Sequence, residues 1–105
     1  MFGRSKVRNI IPIDLEERLK RGDKLQIIDV REPSEVASGR IPGAVNIPLG
    51  QLPQRFGEID RTRETVVVCR SGMRSTKACK FLAGQGYDNV WNLMGGMSGW
   101  RGSVQ

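Results

Sequence analysis

The chain has 105 residues, 38% of them hydrophobic and 27% charged, which is the make-up of one compact globular domain. No run approaches the roughly 18 apolar residues that span a bilayer, and the basic N-terminus lacks the apolar stretch of a signal peptide. The net charge is +6, but three Phe and one Tyr offer little base stacking and no nucleic-acid-binding motif occurs. We expect a cytoplasmic monomer without a membrane or nucleic-acid partner, whose charge serves a small anionic substrate.

The first half of the chain alternates strand-like and helix-like segments. "VRNII" at 7–11 predicts a strand, and the next segment predicts a helix with Asp14 as its N-cap and Gly22 as its end. The apolar run "KLQIIDV" predicts a second strand that ends at Asp29. "REPSEVASG" then predicts a short helical turn closed by Gly39.

The second half continues the alternation. "GAVNIP", bounded by Pro42 and Pro48, predicts a third strand, and "LGQLPQRFGEI" predicts a poorer helix interrupted by Pro53. "ETVVVC" predicts a fourth strand that ends at Cys69, and a helix follows at about 75–85. "YDNVWNLMGG" predicts a fifth strand, and "MSGWRG" a final turn.

This alternation predicts an α/β fold with a mostly parallel sheet covered by helices on both faces. Open parallel sheets place their sites where the carboxyl ends of strands enter helices. Cys69 and Asp29 both close apolar strands. We therefore expect them along the same edge of the sheet.

The absence of histidine removes many mechanisms. The chain has no His, so Ser-His-Asp and Cys-His chemistries are excluded. Its two cysteines are ten positions apart, which does not supply a zinc site, and no phosphate-binding G-x-x-x-x-G-K-[ST] motif occurs. We expect no metal and no cofactor, so a reactive Cys69 depends on backbone amides and arginines.

The loop "CRSGMRS" at 69–75 has the composition for that task. Gly72 can take a positive φ, which lets successive N–H groups turn inward as an anion-binding nest next to a helix N-terminus. The same field lowers the pKa of a thiol at the rim. Arg70 and Arg74 add two charges able to fork onto an oxyanion. The loop therefore predicts one sulfur nucleophile with one anionic substrate.

Spacing separates two chemistries that use such a loop. Cysteine-based tyrosine phosphatases carry an arginine six positions after the cysteine, in a loop that holds a phosphate. Here Arg74 is five positions after Cys69, and Ser75 occupies the sixth. The shorter loop favours a single sulfur atom on the cysteine over a phosphoryl group.

Three ordered motifs resemble the single-domain rhodanese family. "IIDVREPSEVASGRIPGAVNIPL", "VVVCRSGMRS" and "GYDNVWNLMGGMSGW" are similar to its D-V-R-E-P segment, its active-site strand and loop, and its closing Gly-Gly-to-Trp segment. The resemblance covers nearly the whole chain. It implies one rhodanese-like domain over 1–105, with a five-stranded parallel sheet and the first few residues as an N-terminal extension.

The resemblance also implies an activity and a site. Rhodaneses move a sulfane sulfur from a donor such as thiosulfate or a persulfide to cyanide or a cellular thiol. Cys69 would be the nucleophile and persulfide carrier, and Arg70 and Arg74 would bind the anionic donor. The cradle would be the backbone of Arg70, Ser71, Gly72, Met73, Arg74 and Ser75. Arg40 stands where the family commonly has histidine, which leaves the local contact of that histidine open.

The remaining candidates favour structural roles. Cys79 lies on the apolar side of its predicted helix, so burial is expected rather than a disulfide with Cys69. Asp29 and Arg31 are expected to support the site as a pair that holds a strand end. "GG" at 95–96 predicts close backbone approach to the active loop, and Trp100 a lid on the core.

Three alternatives remain open at the level of sequence. The first is a phosphatase or arsenate reductase, which the loop length disfavours. The second is a persulfide carrier that delivers sulfur from the same residues to a partner protein. The third is a non-catalytic interaction module, which in this family normally lacks the cysteine that this chain keeps.

Overall fold

Five short strands form one parallel sheet in the computed structural model, which describes residues 7–105. The expected N-terminal extension lies outside the described residues. The sheet order is β1-β5-β4-β2-β3, so the strand that leads to Cys69 is central. The strands are β1 (Arg8–Ile10), β2 (Gln26–Asp29), β3 (Val45–Asn46), β4 (Thr65–Val68) and β5 (Val90–Leu93). The α/β class and the parallel sheet predicted from the alternation are confirmed.

Four helices connect the strands. They are α1 (Pro12–Lys20), α2 (Pro33–Val36), α3 (Leu52–Arg55) and α4 (Met73–Gly84). Short 3-10 turns lie at Leu49–Gln51, Phe56–Glu58 and Gly96–Gly99. Among residues 7–105, no helix is both long and apolar enough to cross a bilayer.

Three local predictions were wrong. Asp14 is not the N-cap of α1, because Ile11 takes that position and Pro12, whose ring presets the helical φ, begins the helix. Pro53 does not interrupt a helix but lies in the first turn of the short α3, where its missing N–H costs no hydrogen bond. The helix after Cys69 begins at Met73 instead of position 75.

Two apolar layers cover the sheet, one on each face. Adjacent residues of a strand point to opposite faces; thus Ile28 and Val67 join the layer under α4, whereas Ile27 and Val66 join the layer under α1. The first layer contains Ala78, Cys79 and Leu82 of α4, and the second contains Leu15 of α1 with Trp100. Cys69 belongs to the α4 layer, which directs its sulfur to the beginning of that helix.

The register brings the predicted site residues to one edge. Asp29 pairs with Val68 across β2 and β4, and Val67 pairs with Asn92 across β4 and β5. Cys69, directly after β4, therefore lies between the carboxyl ends of β2 and β5. This confirms that Asp29 and Cys69 share an edge of the sheet.

Candidate active site

The Cys69 sulfur is enclosed by hydrogen-bond donors of its own loop. Gly72 donates its backbone N–H to Sγ at 3.0 Å, and the Ser75 hydroxyl lies 3.3 Å from the same sulfur. Cys69 is fully buried, so these contacts replace water around it. The sulfur sits where the first amides of α4, which lack helical partners, converge.

These donors favour the thiolate. Burial opposes ionisation of Cys69, but the Ser75 hydroxyl and the amides of Ser75, Gly72 and Ser71 outweigh it. The pKa of the Cys69 thiol therefore lies below its ordinary value. Hydrogen bonds are the main cause of this lowered pKa. The sequence had suggested that the backbone amides and the arginines would both contribute.

Gly72 makes the turn possible. Its φ of +103° lies in the left-handed region, and a Cβ there would lie 3.5 Å from the Gly95 nitrogen. As the N-cap of α4, it lets the chain reverse directly after β4. The predicted positive φ is confirmed.

The turn that follows β5 holds the beginning of the loop. Met97 donates its N–H to the Cys69 carbonyl at 2.8 Å, and Ser98 donates to the Arg70 carbonyl at 2.9 Å. A Cβ on Gly96 would lie 2.4 Å from the Cys69 carbonyl oxygen, closer than atoms can approach. The close backbone approach predicted for the Gly-Gly pair is therefore present at Gly96.

The two loop arginines have different surroundings. Arg74 forms a two-pronged ion pair with Glu35 of α2, with N–O distances of 2.7 and 2.9 Å. That contact lowers the pKa of Glu35 to about 2. Arg70 is exposed, and none of the ion pairs within residues 7–105 involves it. Arg70 therefore has a guanidinium available for an incoming anion, whereas that of Arg74 is already paired.

Arg70 borders a cavity beside the loop. The cavity has a volume of about 350 Å³, which suits a small molecule. It is lined by Arg31, Glu35, Ser38, Arg70, Met97 and Ser98. Met73, at the apex of the loop, is outside this lining and 73% exposed.

Asp29 and Arg31 form a buried ion pair. The Arg31 Nη2 lies 2.8 Å from Asp29 Oδ2, and Arg31 also donates to the carbonyls of Glu35 and Gly39 at 3.3 and 2.8 Å. The pair thereby joins the end of β2 to α2 and the residues after it. These contacts are those of a positioning pair, and Arg31 also borders the cavity.

Cys79 has the surroundings of a core residue. It is fully buried, and both cysteines are free thiols. Burial, with a smaller contribution from Cys69, raises the pKa of Cys79 to about 12. The expected burial without a disulfide is confirmed.

Two residues of the site were missed from the sequence. Asn92 of β5 accepts a hydrogen bond from the Ser75 hydroxyl, and Glu35 holds Arg74. A polar residue within an apolar strand that ends at the active edge was the available signal for Asn92. Glu35 carried none, because its role depends on α2 facing the first turn of α4.

The side chains and amides of the site suit a cysteine thiolate that reacts with a small anionic molecule. Within residues 7–105, no cluster of three or more His, Cys, Asp or Glu side chains could hold a metal ion. The site combines an acidified thiol, inward-facing amides and an unpaired arginine at a small cavity. The fold and site together define a parallel α/β protein with a cysteine at the centre of a loop of inward-facing amides.

Comparison with known proteins names the family. The Rhodanese-like domain model matches residues 12–103. A sulfurtransferase of Allochromatium vinosum is 42% identical over 94 residues, which are 90% of this chain and 88% of that protein. The thiosulfate sulfurtransferase GlpE of Shewanella oneidensis is 36% identical over 84 residues, covering 80% and 83% of the two chains. The protein thus belongs to the rhodanese-like domain family.

A solved structure gives the same result. The crystal structure of a rhodanese-like domain protein from Staphylococcus aureus matches with a TM-score of 0.88 at 31% identity, over 94% of this chain and 97% of the other. The resemblance stated from the three motifs is confirmed, as is the rhodanese fold.

Proposed function

We propose that the protein is a sulfurtransferase that carries sulfur as a persulfide on Cys69. The acidified thiol within the amide cradle is the observation that carries this proposal. Two relatives of similar length bear the names sulfurtransferase and thiosulfate sulfurtransferase, which supports the reaction class.

The first half-reaction loads the cysteine. The Cys69 thiolate attacks the outer sulfur of thiosulfate or of another sulfane donor. A bond forms between the two sulfurs, the sulfur–sulfur bond of the donor breaks, and the rest of the donor leaves with the electron pair, as sulfite from thiosulfate or as a thiolate from a persulfide. The product is a Cys69 persulfide with one negative charge.

The second half-reaction unloads it. Cyanide or a thiolate attacks the outer sulfur of the persulfide, and the Cys69 thiolate leaves. The net result is transfer of one neutral sulfur atom, so no metal or redox cofactor takes part. An acceptor on a partner protein would give the same chemistry and make the chain a persulfide carrier.

Arg70 is the residue proposed to bind the donor. Arg70, the residue directly after Cys69, lines the cavity and forms no ion pair within residues 7–105, whereas Arg74 is paired with Glu35. Hydrogen bonds to charged groups contribute about 1.5–3 kcal/mol. Arg70→Ala should therefore raise the KM for thiosulfate by roughly ten- to one-hundredfold, and Arg70→Lys by less.

The proposal is tested by thiocyanate production from thiosulfate and cyanide. Turnover by the wild type that Cys69→Ser abolishes and Cys79→Ala retains would support it. Wild-type turnover no faster than that of Cys69→Ser, with several donors, would contradict it. Phosphate-ester hydrolysis that depends on Cys69 would instead favour the phosphatase alternative.

A further inference from the structure

A line of polar side chains connects the active-site sulfur to the neighbouring strands. The Ser75 hydroxyl lies 3.3 Å from Cys69 Sγ and donates to Oδ1 of Asn92. The Nδ2 of Asn92 donates to Oδ1 of Asn9 at 2.9 Å. Cys69, Ser75 and Asn92 are all buried, whereas Asn9 at the far end is exposed, so the part of the line next to the sulfur is shielded from bulk water.

The strand register fixes the far end of this line. Asn9 of β1 and Asn92 of β5 are direct partners in the parallel sheet, so their side chains stand together on one face. In the structure the amide nitrogen of Asn92 faces β1 and donates to Oδ1 of Asn9. The carbonyl oxygen of Asn92 therefore faces Ser75.

Ser75 has one hydroxyl proton and two neighbours that can accept it. An amide oxygen only accepts hydrogen bonds, so Ser75 must be the donor to Asn92. While Cys69 is a thiol, its S–H can donate to the Ser75 oxygen and both contacts are satisfied. Once Cys69 is a thiolate, its sulfur can only accept a hydrogen bond, and it competes with Asn92 for the one that the Ser75 hydroxyl can donate.

We infer that Asn92 is a positioning residue that competes with the Cys69 sulfur for the hydroxyl proton of Ser75, and so sets how readily that sulfur carries negative charge. The effect on sulfur transfer rests on the proposed function. In that reaction Sγ is negative when it attacks the donor and again when it leaves the persulfide. In the persulfide the charge lies on the outer sulfur, and Ser75 can donate to Asn92 again.

Other groups near Cys69 stay the same in the test. On α4 these are Arg74, whose charge interacts with Cys69, and the neutral thiol of Cys79. On β2 and after it, Asp29 is paired with Arg31. Glu35 of α2 is paired with Arg74. None of the charged groups is changed in the variants below, and the Cys79→Ala background is common to all of them, so it cancels in every comparison.

The experiment is a pH titration of thiolate ultraviolet absorbance in the full chain, with Cys79→Ala as the background and Cys69→Ser as the blank. Asn92→Leu and Asn92→Ala remove the competing acceptor, so the midpoint for Cys69 should fall by about half to one pH unit, the effect of a single hydrogen bond. Ser75→Ala should raise the midpoint. Asn89→Ala is the matched control and should leave the midpoint unchanged, because Asn89 lies directly before the same strand and its Oδ1 accepts from Trp91.

The double variant distinguishes competition from a loosened site. With Ser75→Ala in place, Asn92→Ala should no longer lower the midpoint, because the contested proton is gone. An unchanged or raised midpoint in the single Asn92 variants, or an equal fall with and without Ser75, would overturn the inference. The titration needs no sulfur donor, so its failure is distinct from a failure of sulfur transfer.

Discussion

At the scale of single residues, the two cysteines differ in what surrounds them. Cys69 accepts hydrogen bonds from its loop, which lower its pKa, whereas Cys79 lies in the apolar layer with its pKa raised to about 12. A thiolate reacts with electrophiles and a thiol does not. We therefore expect Cys69 to be the reactive cysteine of the native protein and Cys79 to be inert.

This difference predicts selective alkylation. At neutral pH, iodoacetamide should add one label to the folded protein, at Cys69, and the rate should rise with pH with a midpoint below the ordinary thiol pKa of 9.0. Peptide mass mapping checks the site. Cys79→Ala should still take one label, and equal labelling of both cysteines in the folded state would contradict the assignment.

Cys79 also gives a prediction for stability in alkali. Its pKa is about 12 in the folded chain against an ordinary value of 9.0, so the unfolded state ionises first. The contribution of Cys79 to stability is therefore present below about pH 9 and is lost as the pH rises towards 12. Denaturant midpoints measured above pH 9 should fall more steeply for the wild type than for Cys79→Ala, and parallel curves would contradict this.

At the scale of elements, the site depends on the 3-10 turn after β5. Gly96 lies against the carbonyls of Cys69 and Arg70. Gly96→Ala should displace the loop, lower the thermal midpoint by several degrees and remove most of the activity, because the new methyl group would overlap backbone. Gly99→Ala, in the same turn, meets only ordinary contacts at 3.7 Å or more and should be nearly neutral. Similar losses for both variants, measured by calorimetry and turnover, would contradict this reason.

The ion pair between α2 and α4 predicts a dependence on acid. The pKa of Glu35 is about 2, against an ordinary value of 4.5, so the pair contributes fully above about pH 4.5 and is lost as the pH falls through 2. Glu35→Gln should cost about 1 kcal/mol at neutral pH, the scale of a partly exposed pair. The difference from the wild type in urea midpoints should shrink between pH 4.5 and 2.

A matched exposed carboxylate provides the control for that prediction. Glu17 lies on the exposed side of α1, and Glu17→Gln should leave the urea midpoint unchanged. A difference between Glu35→Gln and the wild type that stays constant from neutral pH to pH 2 would show that the charge of Glu35 is not its cause.

The sequence predicted the strands and helices more completely than the side-chain contacts between them. The apolar runs before Asp29 and Cys69 identified two central strands, because strands buried on both faces lack polar alternation. The partner of Arg74 could not be found in this way, since Glu35 is 39 positions away and meets it only in the folded chain. Asn92 did carry a signal, a polar residue within an apolar strand, but its partners Ser75 and Asn9 come from two other elements and are defined only by the fold.

At the scale of the whole molecule, the two apolar layers hold the sheet that presents the loop. Leu82 of α4 is fully buried in the layer that also contains Cys69 and Cys79. Leu82→Ala should lower the free energy of unfolding by about 2–5 kcal/mol, as core truncations do. Val45→Ala, on the edge strand at 49% exposure, should change it by less than about 0.5 kcal/mol. Equal effects in denaturant titrations would contradict the arrangement of the core.

The whole molecule is thus a small scaffold that places the Cys69 side chain at one edge of the sheet. The central strand brings Cys69 between the ends of β2 and β5, and each neighbour adds a support, the Asp29–Arg31 pair on one side and Asn92 on the other. The net charge of +6 includes Arg70, which lines the cavity. Local electrostatics at the loop, rather than a general basic surface, account for the expected preference for anionic donors.

The most direct test of the central claim is the intact mass of the protein after brief exposure to thiosulfate or a polysulfide. The account predicts a gain of the mass of one sulfur atom in the wild type and in Cys79→Ala, removed by cyanide or a thiol and absent from Cys69→Ser. No sulfur adduct with any donor, or an adduct that persists in Cys69→Ser, would contradict it.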